Sequence, residues 1–206
     1  MSKVSACIIT KDRYCISNTI KSVTDKVKEI IIVDTGSQPE YLEFLQDLKK
    51  RNNKIKLYSY VWNGSFSKAR NFSIDKAKGD WILIIDSDEV FEGEIYNIDK
   101  KYTHCFMPVY KFVNDKAEFQ QTGIRIFQNK PEIRYEFNIH ESIERNVDIK
   151  NACTITDCKI VHYGFSEEQQ KVRMKRNYKM LMEDKENPYA VFYLNAYRLV
   201  DKELYL

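Results

Sequence analysis

Apolar and polar residues alternate in blocks along the first part of the chain, and the block lengths separate strands from helices. Val4–Thr10 and Ile30–Val33 are short apolar runs of the kind that suits strands buried on both faces. A less apolar strand is predicted over Ile55–Val61 and a further one over Trp81–Ile85. Helices are predicted between them, over Ile16–Val23, Glu40–Lys50 and Phe66–Lys78. Asn63-Gly64-Ser65 can open the last of these, and Gly79 stands where a C-cap belongs. Strands alternating with helices predict an α/β fold, a mostly parallel sheet flanked by helices, which binds its ligand at the carboxyl ends of the strands.

Beyond Phe91 the pattern changes. Cys105–Val113 and Gly123–Gln128 read as strands, with the turn-prone Asn114-Asp115 between them, and short β segments are expected to continue to His162. After Phe165 the chain turns helical, with Met174, Tyr178, Leu181 and Met182 on one face. Asn187 caps a further helix with Pro188 in its first turn. Along it Tyr189, Phe192, Tyr193, Ala196, Tyr197 and Val200 form a stripe that reads as packing rather than as a ligand box. The expected organisation is one domain over residues 1–165 and a short C-terminal helical segment over 166–206. The helical segment ends at Leu204-Tyr205-Leu206, so its apolar faces are expected to pack on the main domain or on a second subunit, or else the chain is cut short.

Composition narrows the class. Of 206 residues, 43% are hydrophobic and 31% charged, as in ordinary globular domains, and a net charge of +3 does not mark a nucleic-acid binder. No apolar run is long enough to span a bilayer, and the first ten residues lack the pattern of a signal peptide. Five cysteines without C-x-x-C spacing argue against a disulfide scaffold or a structural zinc site, so reduced thiols in a cytoplasm are expected.

The chemistry gathers at the predicted strand ends. Thr10-Lys11-Asp12-Arg13 follows the first strand, Asp34-Thr35-Gly36-Ser37 the second, and Asp86-Ser87-Asp88-Glu89 the fourth. Two carboxylates one residue apart can meet a hard cation together, and Mg²⁺ or Mn²⁺ takes such oxygen ligands. The plain alternative is that these acids merely end a strand, since acidic triplets arise often by chance. Arg70 adds a planar cation suited to phosphate near the same edge, or else is a solvated helix residue. Three polar clusters on one rim favour a nucleotide site.

In order, Ser5-Ala6-Cys7-Ile8-Ile9-Thr10-Lys11-Asp12-Arg13, Ile32-Val33-Asp34-Thr35-Gly36-Ser37, Ser67-Lys68-Ala69-Arg70-Asn71 and Asp86-Ser87-Asp88-Glu89 resemble family 2 glycosyltransferases with the Rossmann-like GT-A fold. The resemblance spans about residues 3–165. It implies inverting transfer from a nucleoside-diphosphate sugar, commonly a UDP-sugar, with Mn²⁺ or Mg²⁺ as cofactor. Carried over by position, Thr10 and Asp12 line the nucleoside pocket and Asp34 bonds the base. Arg70 contacts base or diphosphate, Asp86 reaches the ribose, and Asp88 binds the metal.

Asn138-Ile139-His140-Glu141-Ser142-Ile143 and Ile160-Val161-His162-Tyr163-Gly164-Phe165 look like later motifs of a bacterial branch acting on lipopolysaccharide cores or on peptides. The Glu-Asp base motif of many relatives is absent, and Glu141 is the best substitute as general base, against a surface acid paired with Arg145. His162 would complete the metal shell or else hydrogen-bond within the core, His140 is a third candidate for either task, and His104 is assigned none. Lys171, Arg173, Lys175, Arg176 and Lys179 read as the solvated face of a helix, with approach to a diphosphate or an anionic membrane surface as the alternative. The resemblance thus implies a nucleotide-sugar donor and a glycan, lipid-linked or protein acceptor. A cytoplasmic location, peripheral association with the inner face of the membrane and oligomer formation through the C-terminal helices are compatible with it. Two rivals remain. A nucleotidyltransferase would carry a Gly-rich loop after the first strand, and a non-catalytic scaffold would tolerate loss of its rim acids.

Overall fold

A computed structural model describes residues 3–113, 116–163 and 167–200. The strands are β1 Val4–Thr10, β2 Glu29–Asp34, β3 Ile55–Ser59, β4 Trp81–Ile84, β5 Glu89–Gly93, β6 His104–Val113, β7 Lys116–Gln128, β8 Ala152–Thr154 and β9 Cys158–His162. The helices are α1 Ile16–Val23, α2 Pro39–Arg51, α3 Phe66–Asp75, α4 Glu167–Glu183 and α5 Ala190–Val200. The Asn114-Asp115 turn, Gly164, Phe165 and the last six positions lie outside the described residues.

One sheet of order β3-β2-β1-β4-β7-β6-β9-β5, with β8 beside β6, organises the domain. Its first four strands are parallel, as the alternation of strand and helix requires, and every residue of β2 is buried. From β7 onward the sheet is mixed: β7 runs antiparallel to β4 and to β6, while β9 runs parallel to β6. The chain winds from β1 to β2 and β3 on one side and then crosses to β4 on the other, so β1 and β4 flank the point where the winding reverses. A crevice opens there at their carboxyl ends. Apolar side chains fill both faces: Ile8, Ile30, Ile32 and Leu83 pack with α1 and α2 residues Ile16, Tyr41 and Leu45, while Cys7, Ile31, Ile82 and Phe127 pack with Ile74 of α3.

Three expectations change. The third helix stops at Asp75 rather than Lys78, and Gly79 does not cap it. Gly79 instead passes against β1, donating its N–H to Ser5 Oγ at 2.8 Å. A Cβ at Gly79 would lie 2.6 Å from Ser5 Oγ and 2.7 Å from the Lys3 carbonyl. Gly79→Ala should therefore force β1 and β4 apart and cost about 1–3 kcal/mol in a denaturant titration; a change near zero would mean that the segment yields freely. Second, the strand Glu89–Gly93 follows the acidic triplet directly, where no strand is legible, and pairs with β9. Third, the C-terminal stripe is only partly packed. Tyr193 and Tyr197 meet His140, whereas Phe192 and Val200 are 68% and 73% exposed. On α4, Met174 and Leu181 are buried but Met182 faces solvent.

Candidate active site

The carboxyl ends of β1 and β4, the start of α3, the segment around Glu141 and helix α4 enclose a cleft of about 490 Å³. Thr10, Arg70, Asp86, Asp88, Glu141 and His162 all line it. Helix α3 delivers Arg70: Ser65 caps the helix by accepting the Lys68 N–H, and the buried Ala69 and Ser73 fix the face that turns Arg70 inward. Arg70 holds two carboxylates together. Its Nε donates to Glu141 Oε1 at 2.6 Å and its Nη2 to Asp86 Oδ1 at 2.8 Å. Glu141 is therefore no surface acid; Arg145, its alternative partner, pairs instead with Glu136. Glu141 Oε2 has no hydrogen-bond partner among the described residues, and Arg70 Nη1 is a buried donor left without one.

A second ion pair stands behind the first. Glu89 accepts Arg125 Nη2 at 2.8 Å through Oε1 and the Asp86 N–H at 2.8 Å through Oε2, which fixes the backbone of the acidic turn. Burial would raise the Asp86 carboxyl, but the guanidiniums of Arg70 and Arg125 outweigh it and hold Asp86 down at about 2. Burial pushes Glu89 up, with Asp86 adding to the push against the opposing Arg125. The two acids of one turn thus differ in their hold on a proton.

Asp88 takes a different partner: His162 Nε2 lies 3.2 Å from its Oδ2, and its carbonyl accepts the Tyr163 N–H. Burial opposes charging of the imidazole, yet the bond to Asp88 and the nearby Glu89 and Asp86 carboxylates outweigh it, so His162 lies above the ordinary histidine value. The Asp88 carboxylate is the kind of oxygen ligand that Mn²⁺ or Mg²⁺ takes, and the His162 imidazole stands beside it. Among the described residues no group of three or more His, Cys, Asp or Glu side chains stands ready for a metal ion.

The remaining predicted residues shape the rim. Thr10 Oγ1 and Tyr41 Oη lie 2.7 Å apart, and the Thr10 carbonyl accepts the Thr35 N–H. Asp12 adopts φ +50° and accepts the Gln38 N–H at 2.9 Å. Asp34 folds its own turn, accepting the Gly36 N–H at 3.1 Å. These bonds tie the loop after β1 to the loop after β2, and neither carboxylate is among the groups lining the cleft, whereas Lys11, Arg13 and Thr35 are. His140, at φ +52°, bonds Tyr197 Oη at 2.8 Å and stacks on Tyr193 at 3.8 Å. His104 is fully buried beside Thr103.

Several residues of the site stand outside the strand-end motifs. Trp62 and Phe66 pack edge to face at the cleft wall, Arg125 supports the acidic turn from β7, and Arg173, Arg176 and Asn177 reach the cleft from α4. The strand-period placement of an Arg in an otherwise apolar Ile124-Arg125-Ile126 run was a usable signal for the second. A second cleft of about 730 Å³ adjoins the first and shares Arg70, Asp86, His140 and Glu141 with it. Gln120, Gln121 and Thr122 of β7 and Tyr189 and Tyr193 near α5 form its walls.

Comparison with known proteins identifies the fold and the family. The chain is similar to a TPR repeat-containing protein of Synechococcus elongatus, 30% identical over 70% of the chain and 36% of that relative. It is also similar to the SPbeta prophage-derived glycosyltransferase SunS of Bacillus subtilis, 25% identical over 95% of the chain and 49% of that relative. The chain thus spans half or less of the length of these curated relatives. Among solved structures it shares the fold of S. aureus TarS residues 1–349 in complex with UDP. The TM-score is 0.63 at 16% identity, covering 95% of the chain and 70% of TarS 1–349. The same protein in complex with UDP-GlcNAc aligns with a TM-score of 0.62 at 13% identity. The family model described as glycosyl transferase family 2 matches residues 5–198, nearly the whole chain, and the chain belongs to that family.

Proposed function

We propose that this chain transfers a sugar, with inversion, from a UDP-sugar bound in the first cleft to an acceptor entering through the second. The observation that carries the reading is the position of Glu141: it lies on both clefts, with Oε1 held by Arg70 and Oε2 without a hydrogen-bond partner among the described residues. The acceptor hydroxyl or thiol would pass its proton to Oε2 as its oxygen or sulfur bonds the anomeric carbon. The bond from that carbon to the β-phosphate oxygen breaks, and its electron pair leaves with UDP. Arg70 keeps the base oriented and places its positive charge near the departing phosphate. Thr10 and the loops fixed by Asp12 and Asp34 would receive the nucleoside, with Asp86 toward the ribose. Asp88 and His162 fit a Mn²⁺ or Mg²⁺ ion, which when bound would neutralise the diphosphate. TarS in complex with UDP-GlcNAc makes that sugar nucleotide the first to assay.

A glycan, a lipid-linked glycan and a protein side chain are the acceptor classes to offer. No helix among the described residues is long and apolar enough to cross a membrane.

Release of UDP from UDP-GlcNAc in the presence of Mn²⁺ is the test. Slow hydrolysis is expected without acceptor, faster release with one. Failure to turn over any UDP-, GDP- or CDP-sugar, with the protein folded, would contradict the proposal. Asp88→Asn should weaken the Mn²⁺-dependent part of UDP binding by about 10–100-fold or more, since losing a partner that merely orients a metal's ligands already costs that much. An unchanged Mn²⁺ response would remove Asp88 from the metal site.

A further inference from the structure

One wall of the second cleft is the edge of a strand. β7 runs beside β6 from Lys116 to Phe127, but β4 covers its other side only at Ile126, Phe127 and Gln128. From Lys116 to Arg125 that other side pairs with no described strand, and no described loop closes on it by a backbone hydrogen bond.

This free edge faces the cleft. Bulges at Gln120 and Arg125 bound a regular stretch, Gln121 to Ile124, and all four of its residues line the cleft. Successive side chains of a strand point to opposite faces, so a cleft that meets four in a row runs along the edge, where backbone N–H and C=O groups lie. Such an edge is a template for a further strand, and proteins usually blunt it with charge or proline. Here the charges of Lys116 and Glu118 stand at the start of the strand, and Phe119 to Ile124 carry none.

Gly123 is a second sign. Its φ is not positive, and a Cβ there would come no nearer than 3.8 Å to another group, the Arg125 Nε. Neither backbone conformation nor packing within the chain calls for glycine at this position. A bare position in a strand is where another backbone can come close. Tyr189 and Tyr193 line the same cleft from the C-terminal side, and so does Glu141. Tyr193 is backed by the His140 ring, stacked on it at 3.8 Å.

We propose that the acceptor is a polypeptide segment bound in extended form along this edge, from Gln121 to Ile124, with a serine, threonine or cysteine side chain at Glu141. The proposal rests on the transfer reading above. Main-chain bonds to β7 hold the segment, and the tyrosines receive side chains of one of its faces. A carbohydrate offers hydroxyls too, but only an extended backbone presents N–H and C=O groups at the strand's own repeat. A second copy of this chain paired along β7 would close the cleft on Glu141 rather than deliver a substrate to it. Four residues of strand span about 13 Å, so recognition covers a short linear sequence. The acceptor hydroxyl or thiol gives its proton to Glu141 Oε2, and its oxygen or sulfur takes the glycosyl group as UDP leaves.

The test combines the full chain, Mn²⁺, UDP-GlcNAc and other UDP-sugars with three acceptor panels. These are capped nonapeptides with a central serine, threonine or cysteine between randomised flanks, the same peptides N-methylated in the flanks, and methyl glycosides. Mass spectrometry reads the products. Peptides of the first panel should gain a sugar, and N-methylation should lower kcat/KM about tenfold or more, the scale of a main-chain donor lost and its partner left unpaired. Hydrogen exchange over residues 118–125 should slow when a peptide identified in the first panel is added. Transfer to glycosides but not to peptides overturns the proposal, and so does transfer to no panel while UDP-sugar is hydrolysed. Peptide transfer indifferent to N-methylation, or without slowed exchange in β7, places the acceptor elsewhere and also overturns it. Exchange in β7 that slows with rising protein concentration alone gives the edge to a second copy of the chain, with the same consequence. A folded chain that releases UDP from no UDP-sugar rejects the transfer reading itself, an outcome distinct from hydrolysis without peptide transfer.

Discussion

A Glu141→Gln variant is expected to lose roughly 10²–10⁴-fold in kcat while binding UDP as the native chain does. The amide has the shape of the carboxylate, and its oxygen can still accept the Arg70 Nε–H now made by Oε1. What it cannot do is take the acceptor proton, and that step is needed only in the transition state. The loss should therefore fall on kcat rather than on donor affinity. Steady-state transfer kinetics and UDP calorimetry on the same preparation separate the two. A near-native kcat would move the base elsewhere. His140 is a poor heir, because Tyr197 Oη occupies its Nε2 and Tyr193 stacks on its ring.

Replacing Arg70 with Met should be the most damaging single change to stability near the site. Arg70 is the cation between two carboxylates, its side chain only 10% exposed. Breaking a buried ion pair by removing one partner costs about 3–5 kcal/mol, since the remaining charge stays desolvated. Asp86 is 36% exposed and can recover some solvation, so the lower end of that range applies, about 3 kcal/mol. The pH dependence has a definite sign. Asp86 sits at about 2 in the folded chain against an ordinary 3.8, so the pair's contribution is complete above the ordinary value and is lost as pH falls toward the depressed one. The stability gap between native chain and Arg70→Met should accordingly narrow below about pH 4. Denaturant titrations at neutral and acid pH measure it. A neutral-pH loss below about 1 kcal/mol would show that solvent, not Arg70, balances these acids.

The parallel half of the fold was legible because its signals are local. Apolar runs mark β1, β2 and β4, and a polar cluster follows each strand at the end where such a sheet binds ligands. The mixed half was harder. Strand β5 carries Glu89 and Glu92, and its acids read as a continuation of the triplet; only pairing with β9, some seventy residues on, makes it a strand. The same distance in sequence hid the ion pairs. Glu141 had a plausible helical-spacing partner in Arg145, and only the tertiary fold brings it to Arg70 instead. Helix α4 posed the reverse problem: a run of lysines and arginines looks uniform in sequence, while the packing of Met174 and Leu181 decides which two of its cations turn to the cleft.

Whether the first cleft is a nucleotide-sugar site is decided by calorimetric titration with UDP, with and without Mn²⁺ and repeated with GDP and CDP. Saturable UDP binding that strengthens with Mn²⁺ and exceeds that of GDP and CDP is the predicted result. Folded protein that binds none of the three nucleotides would contradict it and leave a family 2 glycosyltransferase fold without a donor site.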